Sequence, residues 1–293
     1  MPWWKVWGLA ARPKTLWAGI APVFIGAAMA RADGVFHGPS ALCALLGAVF
    51  IQIGANYAND YFDFIKGTDR EDRVGPLRAT QAGLVTPAQM KRAAIRVFGL
   101  AFLAGLYLIY RGGIPILVIG LLSIACGILY TGGPYPLGYL GLGDLFVLVF
   151  FGPVAVAGAY YVQAQSFDPL PVIAGLSPGL WSVAILTVNN LRDVAADRLS
   201  GKKTLPVRLG VTFARWEYAL SLFAASVVLP LYLCLVTGGH WLALTSMLAF
   251  PLSAGSLRTV FTVQDGPALN SALAATGKLL LGFSVLFSIG WVL

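Results

Sequence analysis

Nine stretches of this chain, at about 15–31, 40–59, 93–110, 113–131, 144–164, 170–190, 216–237, 240–257 and 272–293, carry almost no charge. Each approaches the roughly 17–25 apolar residues that a helix needs to cross a bilayer. In hydrocarbon every backbone N–H and C=O must be satisfied within the protein, which a helix does for itself. The pattern predicts an all-α membrane protein, nine transmembrane helices around a central cavity, forming a single integral-membrane domain over 1–293. Composition agrees, because 58% of the 293 residues are hydrophobic and only 11% charged, against about 25% charged in soluble domains. A soluble globule is excluded. Basic residues precede the first run, as in a cleaved signal peptide, but eight further runs follow and the run contains Pro22; it is expected to remain as the first helix.

The formal net charge is +8, from 20 Lys and Arg against 12 Asp and Glu. On a soluble protein such an excess suggests nucleic acid. Here it is distributed by side: counting alternate loops places 18 of the 20 basic residues, Lys278 among them, on one side and only Arg31 and Arg111 on the other. The positive-inside rule then predicts a multi-pass protein of the cell's inner (plasma) membrane, N-terminus cytoplasmic and C-terminus outside. Its partner is the lipid bilayer and no nucleic acid is expected. Cys43, Cys126 and Cys234 stand in apolar runs without CxxC or Cys/His spacing, so neither a disulfide framework nor a zinc site is indicated.

Two cytoplasmic loops, about 60–92 and 191–215, are long, and each opens on a cluster of Asn and Asp. In the first, Asn56, Asp60 and Asp63 stand at i, i+4 and i+7; in the second, Asn189, Asp193 and Asp197 stand at i, i+4 and i+8. Helical geometry puts each trio on one face. Carboxylates that close repel one another, more so beside a low-dielectric membrane, and need cations. Oxygen donors without His or Cys suit Mg²⁺, with Mn²⁺ as a possible substitute, shared between carboxylates and a substrate phosphate. Two such faces opposed across a cavity would hold a diphosphate, whose remaining oxygens suit Lys66, Arg78, Lys202, Lys203 and Arg208. Repetition of both spacing and location outweighs the plainer reading of solvated loop charge, and it hints at a repeat of four helices. Asp69, Glu71 and Asp72 are left mostly to that plainer reading, Asp69 being the one best placed to support the ligands.

Two rival classes share parts of this pattern. A transporter also places paired carboxylates inside a bundle, and it would show no turnover without a gradient. A CDP-alcohol phosphatidyltransferase shares Mg²⁺ and the Asp spacing, but Asp60-x2-Asp63 is not followed by the Gly-x2-Ala-Arg element of that class.

The segments NYANDYFDFIKGTDREDRVGPLRATQAG, YTGGPYPLGYLGLGDLFVLVFFGPVAVAGAYYVQ and NNLRDVAADRLSGKKTLPVRLG together resemble the UbiA superfamily of intramembrane prenyltransferases. The similarity is strongest to the branch that acts on 1,4-dihydroxy-2-naphthoate in menaquinone biosynthesis, which the N-terminal Arg12-Pro13-Lys14-Thr15-Leu16 also fits. The resemblance implies a nine-helix fold with a site open to the cytoplasm and to lipid. It implies Mg²⁺ and a polyprenyl diphosphate at Asn56, Asp60, Asp63, Asp193 and Asp197; beside these, an acceptor or prenyl pocket is expected near Arg12, Lys14, Tyr130, Tyr135, Tyr139 and Asp144. The reaction implied is transfer of the polyprenyl group to the naphthoate with loss of CO₂; another aromatic acceptor is the alternative. Benzoate-type members carry Tyr-x3-Lys after the fourth helix, whereas Tyr130 is followed by Thr131, Gly132, Gly133 and Pro134, which argues against 4-hydroxybenzoate. Pro206 stands where Ala or Val is more usual. The three tyrosines also suit an aromatic belt or a cation–π contact, and Asp144 suits either a helix cap or an acceptor for a substrate hydroxyl.

Overall fold

The computed structural model describes residues 1–68, 75 and 77–293. Asp69, Glu71 and Asp72, and the loop charges Arg70 and Arg73, lie outside the described residues. The rest is helical, without strands among the described residues. A short α1 (Trp3–Ala10) presents Trp3 and Trp4 outward, as aromatic rings at a membrane surface do. It leads into α2 (Pro13–Ala32), α3 (Gly38–Ile65) and α4 (Pro87–Leu129). There follow α5 (Gly143–Phe150), α6 (Pro153–Ala164), α7 (Pro169–Arg192), the short α8 (Val194–Leu199) and α9 (Leu205–Leu209), and α10 (Val211–Phe223). A π-helical turn over Ala224–Val228 joins α10 to α11 (Leu229–Thr237). After a 3₁₀ segment over Trp241–Leu248 come α12 (Ala249–Leu252), α13 (Ala254–Thr262) and α14 (Gly266–Val292).

Among the described residues seven spans are long and apolar enough to cross a membrane, and the nine apolar runs map onto them unevenly. The runs at 93–110 and 113–131 are the two limbs of α4, which turns at Gly113, where φ is 66° and ψ −151°. Only glycine adopts that conformation without a steric penalty, so one 43-residue helix becomes two passes. The run at 240–257 is no single α-helix but a 3₁₀ segment followed by two short helices. The nine-helix count is therefore approximate. Lys278, counted with the charges of the cytoplasmic side, lies within α14, exposed on its surface.

Burial sets the order of the bundle. In α7, 72% of the membrane-length window is buried, against 17% in α3 and 11% in α4. The seventh helix is thus central, packed by α2, α5, α6, α10 and α14, while α3 and α4 pair with each other at the side. Lipid tails are as apolar as Leu, so close packing rather than water exclusion holds such helices together. Accordingly Trp181 of α7 meets Phe283 of α14, their ring centroids 6.1 Å apart. Where the α5–α6 break presses on α7, a Cβ on Gly175 would come within 2.6 Å of Pro153 Cα, a contact only glycine permits.

Candidate active site

The first Asn/Asp trio lies on the last turns of α3 and is buried throughout, with Asn56 4%, Asp60 2% and Asp63 2% exposed. Asn56 Nδ2 donates to the carbonyl of Ala11 at 2.9 Å, tying α3 to the end of α1. Asp60 turns away from the others: its two oxygens accept the backbone N–H groups of Thr80 (3.1 Å) and Ala79 (3.0 Å). Asp63 is the meeting point of three remote segments. It accepts from Arg78 Nη2 at 2.9 Å and from the Tyr139 hydroxyl at 2.8 Å, and Lys202 Nζ lies 3.4 Å away. A carboxylate this deeply buried is expensive unless paired. The two cations and the phenol supply the pairing.

The second trio does not share one helix as expected. The α7 helix ends at Arg192, Asp193 caps it, and Asp197 belongs to α8. The spacing survives the break, because the N–H of Asp193 bonds to the carbonyl of Asn189 (3.2 Å) and that of Asp197 to the carbonyl of Asp193 (2.8 Å). Arg192 Nε and Nη2 hold the two carboxylate oxygens of Asp193 at 2.8 and 2.5 Å. Asp197 lies 4.0 Å from Lys202 Nζ and accepts from the Thr204 hydroxyl at 3.4 Å. Burial pushes its carboxyl up to about 6; Lys202 pulls it back, while Asp193 and Asp63 push the same way as burial.

Between the two trios opens a cavity of about 390 Å³. Its polar end is lined by Asn56, Asp63, Asn189, Asp193, Asp197 and Lys202, with Arg12 and Arg78 beside them. From there it follows the second limb of α4 from Tyr130 back to Ile116, 14 residues or about 21 Å at 1.5 Å per residue. That length is walled by apolar side chains, among them Leu117, Leu121, Phe146 and Phe150. One end can neutralise anionic charge; the other can shelter a long apolar chain from water.

Other expected site residues are placed differently. Asp60 is sealed behind the cavity by its loop bonds, and Lys66 is spent on the carbonyls of Thr131 (2.6 Å) and Gly133 (3.2 Å). Lys14, Lys203, Arg208 and Tyr135 are exposed and do not line the cavity, since each stands on the outward side of its helix end or loop. Asp144 is no N-cap: it sits within the first turn of α5, 8% exposed, and does not line the cavity. Tyr130 and Tyr139 do line it. Burial, then the carboxylates of Asp144, Asp197 and Asp63, raise the Tyr130 phenol, and only Arg12 opposes them, so it remains protonated. The ring of Tyr139 lies between two ammonium groups, 4.9 Å from Lys66 and 4.6 Å from Lys202. The missing Tyr-x3-Lys lysine therefore does not leave the loop after Tyr130 without positive charge, because Lys66 supplies it from α3. Two members of the site went unrecognised in the sequence. Arg192 was counted only as loop charge although it adjoins Asp193, and Asn270 carries no signal in a single sequence.

The donor set fits a divalent metal. Lys202 Nζ sits between Asp63 and Asp197, so one cation already bridges carboxylates of the two trios, and every donor facing the cavity there is a hard oxygen, as Mg²⁺ prefers. Among the described residues no three His, Cys, Asp or Glu side chains form a cage by themselves, as expected for an ion completed by water and substrate phosphate.

The sequence pattern of the UbiA prenyltransferase family matches residues 19–279. A relative named 1,4-dihydroxy-2-naphthoate octaprenyltransferase, from Escherichia coli (strain K12), is 40% identical over 98% of this chain and 94% of its own. Among solved structures, the apo form of a UbiA homolog from Aeropyrum pernix K1 superposes with a TM-score of 0.71 at 18% identity, covering 94% of this chain and 98% of that one. A UbiA homolog from Archaeoglobus fulgidus bound to DMAPP and Mg²⁺ superposes with a TM-score of 0.62 at 15% identity, over 97% and 99% of the two chains.

Proposed function

The chain belongs to the UbiA prenyltransferase family, and on that premise we propose that it transfers a polyprenyl group from polyprenyl diphosphate to 1,4-dihydroxy-2-naphthoate, with loss of CO₂, to give demethylmenaquinol, the reduced form of demethylmenaquinone. The observation that carries this reading is one continuous cavity with a carboxylate- and cation-lined mouth and an apolar channel along α4. The name of the 40% identical relative supports the acceptor.

In this reading Asp63, Asp193 and Asp197, flanked by Asn56 and Asn189, hold Mg²⁺, whose chemistry there is to offset charge on the departing diphosphate. Lys202 and Arg78 add fixed positive charge at the same end. The channel walls of α4, α5 and α6 align the prenyl chain and exclude water, which would otherwise capture an allylic cation. Tyr130 lines the junction with an aromatic ring suited to a cationic carbon, while the ring of Tyr139 is already engaged by Lys66 and Lys202. The acceptor ring attacks from the mouth; substitution at the carboxylated carbon restores aromaticity when the C–CO₂⁻ bond breaks and its electron pair returns to the ring.

The whole chain acts as one membrane domain, with its N-terminus and the carboxylate mouth cytoplasmic and its C-terminus outside, as the 18-to-2 division of basic residues supports. A cysteine at position 208 should be labelled by an impermeant reagent from the cytoplasm, and one at 111 from the opposite side; the reverse pattern refutes the orientation. The acceptor is tested by offering purified protein 1,4-dihydroxy-2-naphthoate and 4-hydroxybenzoate with labelled polyprenyl diphosphate. The naphthoate should react far faster, with one CO₂ per product; activity should vanish with EDTA and return with Mg²⁺ or Mn²⁺. Equal rates on the two acids, or a product that keeps its carboxylate, would assign the chain to another acceptor.

A further inference from the structure

Arg192 ends the central helix with its side chain enclosed, the residue being 8% exposed. Besides its two bonds to Asp193, its Nη2 donates to Asn189 Oδ1 at 2.8 Å and its Nη1 to Asn270 Oδ1 at 2.6 Å. One guanidinium thus joins two side chains that face the cavity to a third, 78 positions away on the first turns of α14. Asn270 does not line the cavity. It reaches the mouth through the arginine it holds.

The planar fork of arginine fixes a carboxylate in direction as well as in charge, but only while the guanidinium itself is held. Asp193 stands between α7 and α8 with its N–H bonded to Asn189 and its carbonyl to Asp197, so the backbone is set and what remains to be fixed is the direction of its carboxylate. Its orientation therefore depends on Arg192, and the orientation of Arg192 depends on the amide oxygen of Asn270. We propose that Asn270 is a positioning residue: through Arg192 it holds Asp193 and Asn189 in the arrangement that meets the divalent cation and the diphosphate. In this way α14, which gives no carboxylate to the site, sets the affinity of the second trio. The inference rests on the function proposed above and adds a residue to it.

The test uses the full chain purified in detergent, with Mn²⁺ as a paramagnetic probe and a thiolo analogue of geranyl diphosphate that does not ionise. Binding of Mn²⁺ is read by EPR, beside kcat, the Mg²⁺ concentration for half-maximal rate, and the melting temperature without metal. Asn270→Leu keeps the branching at Cγ and the heavy-atom count and removes the acceptor oxygen. It should weaken Mn²⁺ binding and raise the Mg²⁺ requirement about 10-fold, as loss of a bond supporting a metal ligand does, with little change in melting temperature. Asn270→Asp keeps an acceptor oxygen and should restore most of the affinity. If Asn270→Leu folds poorly, Arg192→Lys, which keeps the charge but loses the fork, should show the same weakening. Wild-type Mn²⁺ affinity in Asn270→Leu overturns the proposal. So does equal weakening in the Leu and Asp variants together with a fall in melting temperature, which marks a purely structural role. Asp193→Asn serves as the control: unchanged Mn²⁺ affinity there refutes the metal role of Asp193 itself, a failure distinct from that of Asn270.

Discussion

The two Asn/Asp trios are built from the same residue types at nearly the same spacing, yet they are held in different ways. The first belongs to an unbroken helix at the side of the bundle, and its carboxylates are met by distant groups: Ala79 and Thr80 at Asp60, and Arg78, Tyr139 and Lys202 at Asp63. The second stands at a break after the most buried helix, and Asp193 is met by its own neighbour in sequence, Arg192. Spacing alone sets which side chains share a face; it does not set which of them are left to meet a ligand. In the first trio the folding of the loop takes Asp60 out of contact with the cavity and makes Asp63 the residue on which the two halves converge. In the second, the ligand direction of Asp193 is largely a local matter, trimmed by one bond from α14.

That contrast predicts a ranking. Asp63→Asn should produce the largest loss, lowering kcat about 1,000-fold, the equivalent of about 4 kcal/mol of transition-state stabilisation. It removes a metal-binding charge and also leaves Arg78 and Lys202 facing one another without their shared carboxylate. Asp193→Asn should cost less, because among the described residues the cation that it leaves without a carboxylate is its own sequence neighbour Arg192. Steady-state rates at saturating Mg²⁺ decide the matter, and an Asp193→Asn defect as deep as that of Asp63→Asn would erase the difference drawn between the trios.

A smaller effect sharpens the same comparison. Asp60→Asn should act on stability rather than chemistry, since an amide offers a single oxygen where two backbone N–H groups now bond. One buried donor loses its partner, at a cost of about 1–3 kcal/mol. The melting temperature should fall while the Mg²⁺ concentration for half-maximal activity stays at its wild-type value. A shifted Mg²⁺ requirement with unchanged melting would return Asp60 to the ligands and make the two trios alike.

Much of the architecture was legible in the sequence because membrane insertion is governed by terms that sum along the chain. Apolar length marks the passes, and the i, i+4 spacing of Asn56, Asp60, Asn189 and Asp193 places each pair on one face at a helix end. The neighbouring motifs resemble one family, to which the chain belongs. The break at Gly113 was legible, since Arg111-Gly112-Gly113 parts the runs at 93–110 and 113–131; the 3₁₀ segment at Trp241–Leu248 was not, because it differs from a plain apolar helix in backbone conformation and not in hydropathy.

What the sequence determined by itself is the helical, multi-pass class and the identity of the carboxylates, since both follow from local composition and periodicity. Only the tertiary structure decided their employment. Lys66 is drawn onto the carbonyls of Thr131 and Gly133, Lys202 reaches across 139 positions to Asp63, and Asn270 anchors Arg192 from another helix. Each of these is a choice of partner for a buried charge, and such a choice depends on which polar groups the fold brings within about 3 Å, a distance that no spacing along the chain encodes.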